Sequence, residues 1–218
     1  MGLNCGCPVG PSLEALADQQ CKSSLGQIQK LLFQRRLADN GSLNNILAAS
    51  IVTKAGWDAL IAKTDSEKVT VSPEIGNPEV EPGAARTFGG DNQTPGGVQI
   101  ITGREATTFT AVFYELDQSI IKSLKSYQCE DLVVYFVDEY GNIGCLVNAT
   151  NQGVPTSYRG VPIQSFFVGD KDFGGLSDPD SNAISFSMKP NWSDNLVIIR
   201  QSDMDFNPVT DLKNPSAS

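Results

Sequence analysis

The chain has 218 residues, 40% of them hydrophobic and 19% charged, with a formal net charge of −9 and no histidine. This composition suits one domain with a real core and excludes the Ser-His-Asp triad, histidine-ligated zinc and proximal-histidine haem. The acidity argues against a grip on phosphate backbones, which comes from Lys and Arg, while 20 glycines and many uncharged polar residues favour loop-rich β structure over a helical bundle.

Residues 1–25 read as an N-terminal arm punctuated by Gly, Pro and Cys, with a short helical possibility at Ser12–Gln20. The start Met1-Gly2-Leu3-Asn4-Cys5-Gly6-Cys7 lacks the charged and apolar regions of a signal peptide. Gly6 also stands where a myristoylation motif needs Ser or Thr. Gly26–Arg36 fits helical and strand periodicity alike; the flanking Gly26 and Asn40-Gly41 favour a strand. Thr53–Lys63 reads as a helix, with Thr53 as N-cap and Trp57, Leu60 and Ile61 at i, i+3, i+4 spacing. A short strand is expected at Val69–Ser72. The stretch 73–97 then carries Pro73, Pro78, Pro82 and Pro95 with several glycines, and reads as a long loop without an element. Loops of that length are usually functional or interaction segments.

Val98–Ile101 and Thr107–Glu115 read as strands, the second alternating Phe109, Ala111 and Phe113 with Thr108, Thr110 and Val112. Asp117 caps a helix that sets Ile120, Ile121 and Leu124 on one face. Leu132–Val137 and Ile143–Asn148 flank Asp138-Glu139-Tyr140-Gly141-Asn142, a hairpin signal. Val161–Val168, Ala183–Lys189 and Leu196–Arg200 complete the strands, and the polar tail after Gln201 reads as an extended arm. The longest apolar run, Leu132–Val137, is far short of the roughly 20 residues of a membrane span, so no membrane association is expected.

The chemistry-bearing motifs are weak. Five cysteines, Cys5, Cys7, Cys21, Cys129 and Cys145, are an odd number for a disulfide framework. The first three lack a nearby fourth ligand for a metal; reduced thiols in an arm and two semi-buried thiols in strands are the plainer reading. The sequons at Asn40, Asn92, Asn148 and Asn191 read as accidental in an Asn-rich chain. Asp178-Pro179-Asp180-Ser181-Asn182 has the opening spacing of a calcium loop, but Ala183 stands for the required Gly and Lys189 for the closing Glu. Gly89-Gly90 and Gly96-Gly97 lack the Gly-Lys-Ser/Thr of a phosphate loop. The carboxylate pairs Glu79/Glu81 and Asp138/Glu139 have no readable sugar cleft beside them. Trp57 and Trp192 read as packing residues. Charge is uneven: residues 1–66 hold 6 basic and 5 acidic groups, 67–128 hold 5 and 8, and 129–218 hold 5 and 12. The surplus suits ordinary solubility; the sharper reading is a surface that repels phosphates, past which nucleic acid slides without being held.

The stretches Glu81-Pro82-Gly83-Ala84-Ala85-Arg86-Thr87-Phe88-Gly89-Gly90, Gly103-Arg104-Glu105-Ala106-Thr107-Thr108-Phe109, Gln128-Cys129-Glu130-Asp131-Leu132, Phe167-Val168-Gly169-Asp170-Lys171 and Pro190-Asn191-Trp192-Ser193-Asp194 together resemble structural proteins of phages and prophages of Bacteroides-type hosts, and within them the phage major tail (tail tube) proteins. The likeness runs from about residue 26 to 212 and is one of overall pattern. It implies a β-sandwich or barrel with a flanking helix, subunits in hexameric rings stacked into a hollow tube, a negative lumen, and loops and terminal arms that bridge neighbouring rings. The Cys-rich first residues depart from that pattern.

The expected fold is therefore β-rich (α+β): a tail-tube-like β-sandwich or barrel over 26–203 with one or two flanking helices, a long assembly loop at 73–97, and terminal arms at 1–25 and 204–218. Arg86, Phe88, Gly89 and Gly90 are the expected inter-subunit contacts. The resemblance implies a structural virion protein rather than an enzyme, with no catalytic residue, no metal and no cofactor. Its partners would be further copies of itself in stacked rings and other tail or connector proteins. DNA would pass through without tight binding, and assembly would occur in the host cytoplasm. The alternatives are a head–tail connector, terminator or capsid-associated protein, a contractile-injection or secretion tube subunit, a carbohydrate-binding β-sandwich, and a hydrolase.

Overall fold

The computed structural model describes residues 24–215. Among them the strands are β1 Ile28–Arg35, β2 Ile46–Leu47, β3 Val69–Val71, β4 Gly76–Glu81, β5 Ala85–Gly89, β6 Gln99–Arg104, β7 Thr107–Tyr114, β8 Leu132–Asp138, β9 Ile143–Asn151, β10 Val154–Arg159, β11 Val161–Val168, β12 Ser181–Met188 and β13 Leu196–Ile199. The helices are α1 Ala48–Ile51, α2 Lys54–Ile61, α3 Gln118–Ser126 and α4 Pro208–Asp211. The fold is β-rich with few helices, as the sequence implies. The expected helix at Ser12–Gln20 and most of the N-terminal arm lie outside the described residues.

All strand pairings are antiparallel. The main sheet curls through β1, β8, β11, β12, β7 and β4. The β3–β4 connection bridges the remaining gap, because the Ile75 amide donates to the Gln29 carbonyl of β1 at 2.9 Å. The strong curl needs a bend in β11. There Ser165 adopts φ 53 and the register with β12 slips between Gln164 and Phe167, the signature of a bulge.

Alternation along the strands builds two cores. Leu31, Phe33, Phe109, Phe113, Leu132, Val134, Phe136, Ile163, Ile184 and Phe186 point into the curl, and Ile121 and Leu124 of α3 plug one end. Leu32, Tyr135, Val137, Ile143 and Cys145 point the other way, onto Ile51, Trp57 and Ile61 of α1 and α2. β8 lies between the two cores and every one of its residues is buried. Up to Val137 it therefore reads as an unbroken apolar run instead of an alternating one. Trp57 is fully buried, donates Nε1–H to the Ile51 carbonyl at 2.8 Å, and meets Tyr135 edge-on at 5.2 Å. Thr53 caps α2 by accepting from the Gly56 amide, and Asp117 caps α3 by accepting from Ser119.

The β8–β9 turn is built on Asp138, whose side chain is buried. Its Oδ1 accepts from the amides of Tyr140 at 2.9 Å and Asn142 at 2.8 Å; its Oδ2 accepts from the Gly26 amide at 2.9 Å and Asn142 Nδ2 at 2.8 Å. One carboxylate thus ties the turn to the start of β1.

Three expectations need correction. The 73–97 stretch is not free of elements: β4 pairs with β7 inside the curled sheet, and β5 pairs with β6. β4 hides in the sequence because it is an edge strand, where Pro78 and the positive φ of Asn77 are tolerated at a break in register. β10, which carries no expected strand, follows β9 through Gln152-Gly153. Both residues have positive φ, the backbone of a type I′ hairpin turn without its usual Asn-Gly signature. The tail after Gln201 is not an extended arm. Phe206 and Leu212 are buried, and the Asn214 side chain accepts from the Val71 amide and donates to its carbonyl. Asn214 thereby covers the open edge of β3, and Lys30 Nζ donates to the Val209 carbonyl of α4.

The two described cysteines also differ from expectation. Cys129 is exposed in a tight 3-10 turn and Cys145 is fully buried in β9. Burial pushes the Cys145 thiol up to about 12. A thiol held neutral and covered is inert, so Cys145 should react with a thiol reagent such as Ellman's only when the protein is unfolded. Peptide mapping after native labelling checks this; a labelled Cys145 in the folded protein would contradict its burial.

Candidate assembly interface

β4 and β7 pair up to Glu81 and Thr108. Beyond that point the two chains leave the curled sheet together. The Glu105 amide donates to the Ala84 carbonyl at 2.8 Å, and β5 then pairs with β6 from Ala85–Arg104 to Gly89–Gln99. The product is a two-stranded ribbon standing off the body. At its foot the strands cross closely: a Cβ on Gly83 would sit 2.0 Å from the Glu105 carbonyl oxygen, so glycine is required there. Arg104 Nη1 donates to Asn191 Oδ1 at 3.1 Å and fastens the foot to the turn before β13.

The four sequence-expected contact residues all fall on this ribbon but do different things. Arg86 and Phe88 are exposed on β5, Phe88 at 57%. Gly89 and Gly90 shape the tip, with φ of 94° and 107°. A Cβ on Gly89 would lie 2.3 Å from Thr94 Cγ2. Thr94 organises the tip, since its hydroxyl accepts from the Gly90 amide at 3.3 Å and donates to the Val98 carbonyl at 2.5 Å. Register and alternation place Arg86, Phe88, Val98 and Ile100 on one face, with Phe88 opposite Ile100. Val98 and, on the opposite face, Ile101 are each 61% exposed. These partners of Phe88 were missed because the stretch 73–97 reads as a loop, which hides the cross-strand pairing.

A second exposed element joins β11 to β12. Phe173 is 79% exposed and Leu176 fully so, in a loop with Asp170, Asp172, Asp178 and Asp180. Lys125 pairs with Asp170 and holds its carboxyl below the usual range, and Lys171 Nζ lies 3.6 Å from Asp180. The calcium-like spacing at Asp178–Asn182 does not form a loop, since Ser181 and Asn182 already belong to β12 and Asn182 is buried. Among the described residues no group of three or more Cys, Asp or Glu is placed to hold a metal ion. The carboxylate pairs do not make a catalytic dyad either. Asp138 is committed to four N–H donors while Glu139 is exposed, and Glu79 and Glu81 stand exposed on β4.

No family model matches the chain, and no curated protein does. Among solved structures, a chain in the six-fold symmetrised cryo-EM structure of the anti-feeding prophage baseplate is similar, with a TM-score of 0.35 and 6% identity over 84% of this chain and 99% of that one. A likeness this distant fixes neither topology nor function. No helix among the described residues is long and apolar enough to cross a membrane.

Proposed function

We propose that the chain is a structural, non-enzymatic subunit of a phage or phage-like particle, that it self-assembles through the β5–β6 ribbon, and that the assembly is a tail tube. The observation that carries this reading is the ribbon itself. An isolated two-stranded ribbon is marginal in water, and among the described residues this one offers two unpaired backbone edges and an apolar stripe. Exposed edges of this kind are templates for pairing with another chain. Support also comes from the resemblance in the sequence, from the barrel-like body with flanking helices, and from the acidity, which suits a wall that DNA slides past. A carbohydrate-binding module would spend its aromatics on one open face. Here Trp57 is buried and Trp192 packs on the inner core, 6.2 Å from Phe136.

Electron microscopy of the purified full-length protein tests the reading. Rings or tubes with a central pore are expected. A monomer at every concentration, with no ring or tube in any field, rules the assembly out.

A further inference from the structure

We infer that the ribbon of one copy docks onto the β11–β12 loop, residues 169–180, of a second copy, in a head-to-tail contact; this rests on the assembly reading above. Three observations carry it.

The first is placement. β7 and β12 pair along their whole length, from Thr107–Met188 to Tyr114–Ser181. The ribbon leaves at the Thr107 end and the loop enters β12 at the Ser181 end. Seven residue steps at about 3.4 Å separate the ends by about 24 Å. The two elements therefore lie at opposite poles of the same sheet, and neither can satisfy the other within one chain.

The second is charge. Arg86 has no ion pair among the described residues. On the loop, Asp170 and Asp180 are held by Lys125 and Lys171, which leaves Asp172 and Asp178 exposed and without a salt bridge among the described residues. With Arg86 and Arg104 against the single acid Asp91 the ribbon is net positive, and the unpaired Asp172 and Asp178 sit on the opposite pole.

The third is apolar matching. Each pole shows large aliphatic and aromatic side chains that water would otherwise cover: Phe88 and Val98 on the ribbon, Phe173 and Leu176 on the loop. In both places the charge flanks the apolar residues, so one approach seats the apolar surfaces and pairs Arg86 with Asp172 or Asp178. Unlike patches at opposite poles make a heterologous interface, which closes into a ring or runs on as a filament.

The test is sedimentation velocity on full-length protein carrying Arg86→Glu, the double change Asp172→Lys with Asp178→Lys, or all three. All these side chains are exposed, and unchanged thermal melts verify folding. Each one-sided variant should weaken self-association by at least about tenfold. An equimolar mixture of the two should regain assembly, with native and reversed contacts alternating, and the triple variant should regain it alone. If the loop variant assembles like wild type while Arg86→Glu does not, the loop is not the receiver, and ribbon-driven assembly stands without it. If Arg86→Glu is not rescued by the loop variant, the ribbon meets a different surface. If no variant changes assembly, or the wild type is monomeric throughout, both the docking and the assembly reading fall.

Discussion

Replacing Asp138 by alanine should lower the free energy of unfolding by about 3–5 kcal/mol, the scale of leaving several N–H donors without their acceptor. The carboxylate accepts from three backbone amides and the Asn142 side chain, and its side chain is out of contact with water. Removing it leaves those four donors without their acceptor. It also frees Gly26, so the lead-in to β1 and the β8–β9 turn loosen together. Asparagine is not a rescue. Both carboxylate oxygens accept two bonds, so an amide group turned either way sets its N–H hydrogens against two donors. Asp138→Asn should therefore cost about 2 kcal/mol, while alanine at the exposed neighbour Glu139 should stay within about 0.5 kcal/mol. Urea denaturation of the three variants measures the order. An Asp138→Ala protein within 1 kcal/mol of wild type would mean that the turn does not depend on the carboxylate.

The second large effect is on assembly. Residues 85–104 can be replaced by Asn-Gly, because the Glu105 amide already donates to the Ala84 carbonyl, as the closing pair of a two-residue hairpin does. β4, β7 and both cores stay intact in the shortened chain. It should melt within a few degrees of the parent, since the ribbon adds no residue to either core. It should also remain a monomer where the parent forms rings or tubes. Light scattering and microscopy on the two proteins decide the matter, and tubes of normal width from the shortened chain would remove the ribbon from the mechanism. The cut must spare residues 76–81, because they pair with β7 in the body; a deletion that reached into β4 would confuse lost assembly with lost folding.

Much of the fold was legible where a local signal is complete. Phe109, Ala111 and Phe113 alternate and are all buried on one face of β7. Thr53 and Asp117 cap the helices they were assigned to. The five residues from Asp138 to Asn142 join two paired strands. Of the face expected on α3, Ile121 and Leu124 are buried while Ile120 stays 39% exposed. What was not legible depends on distant partners. β4 has no alternation because none of its residues is fully buried, so neither face is apolar, and Pro78 interrupts it. The tail looks polar because its anchors, Phe206 and Leu212, are isolated in sequence and become neighbours of Ile61 and Val71 only through the fold. For the candidate interface, Arg86 and Phe88 could be picked from composition, but their apolar neighbours across the ribbon emerge only once β5 and β6 are in register. The exposure of Phe173 and Leu176 was not foreseen, although two large apolar residues around Gly174-Gly175 in an acidic stretch are a visible cue.

β8 has one further consequence. Its inward residues complete one core and its outward residues complete the other, while β1 flanks it along one edge and β9 and β11 share the opposite edge. Neither half of the body can melt while the other survives, because opening either one strips a wall from both. The domain is thereby committed to a single all-or-none transition, while the ribbon is free to fray and re-form outside it. If the ribbon is the docking element proposed above, it can rearrange on assembly while the two shared cores stay closed.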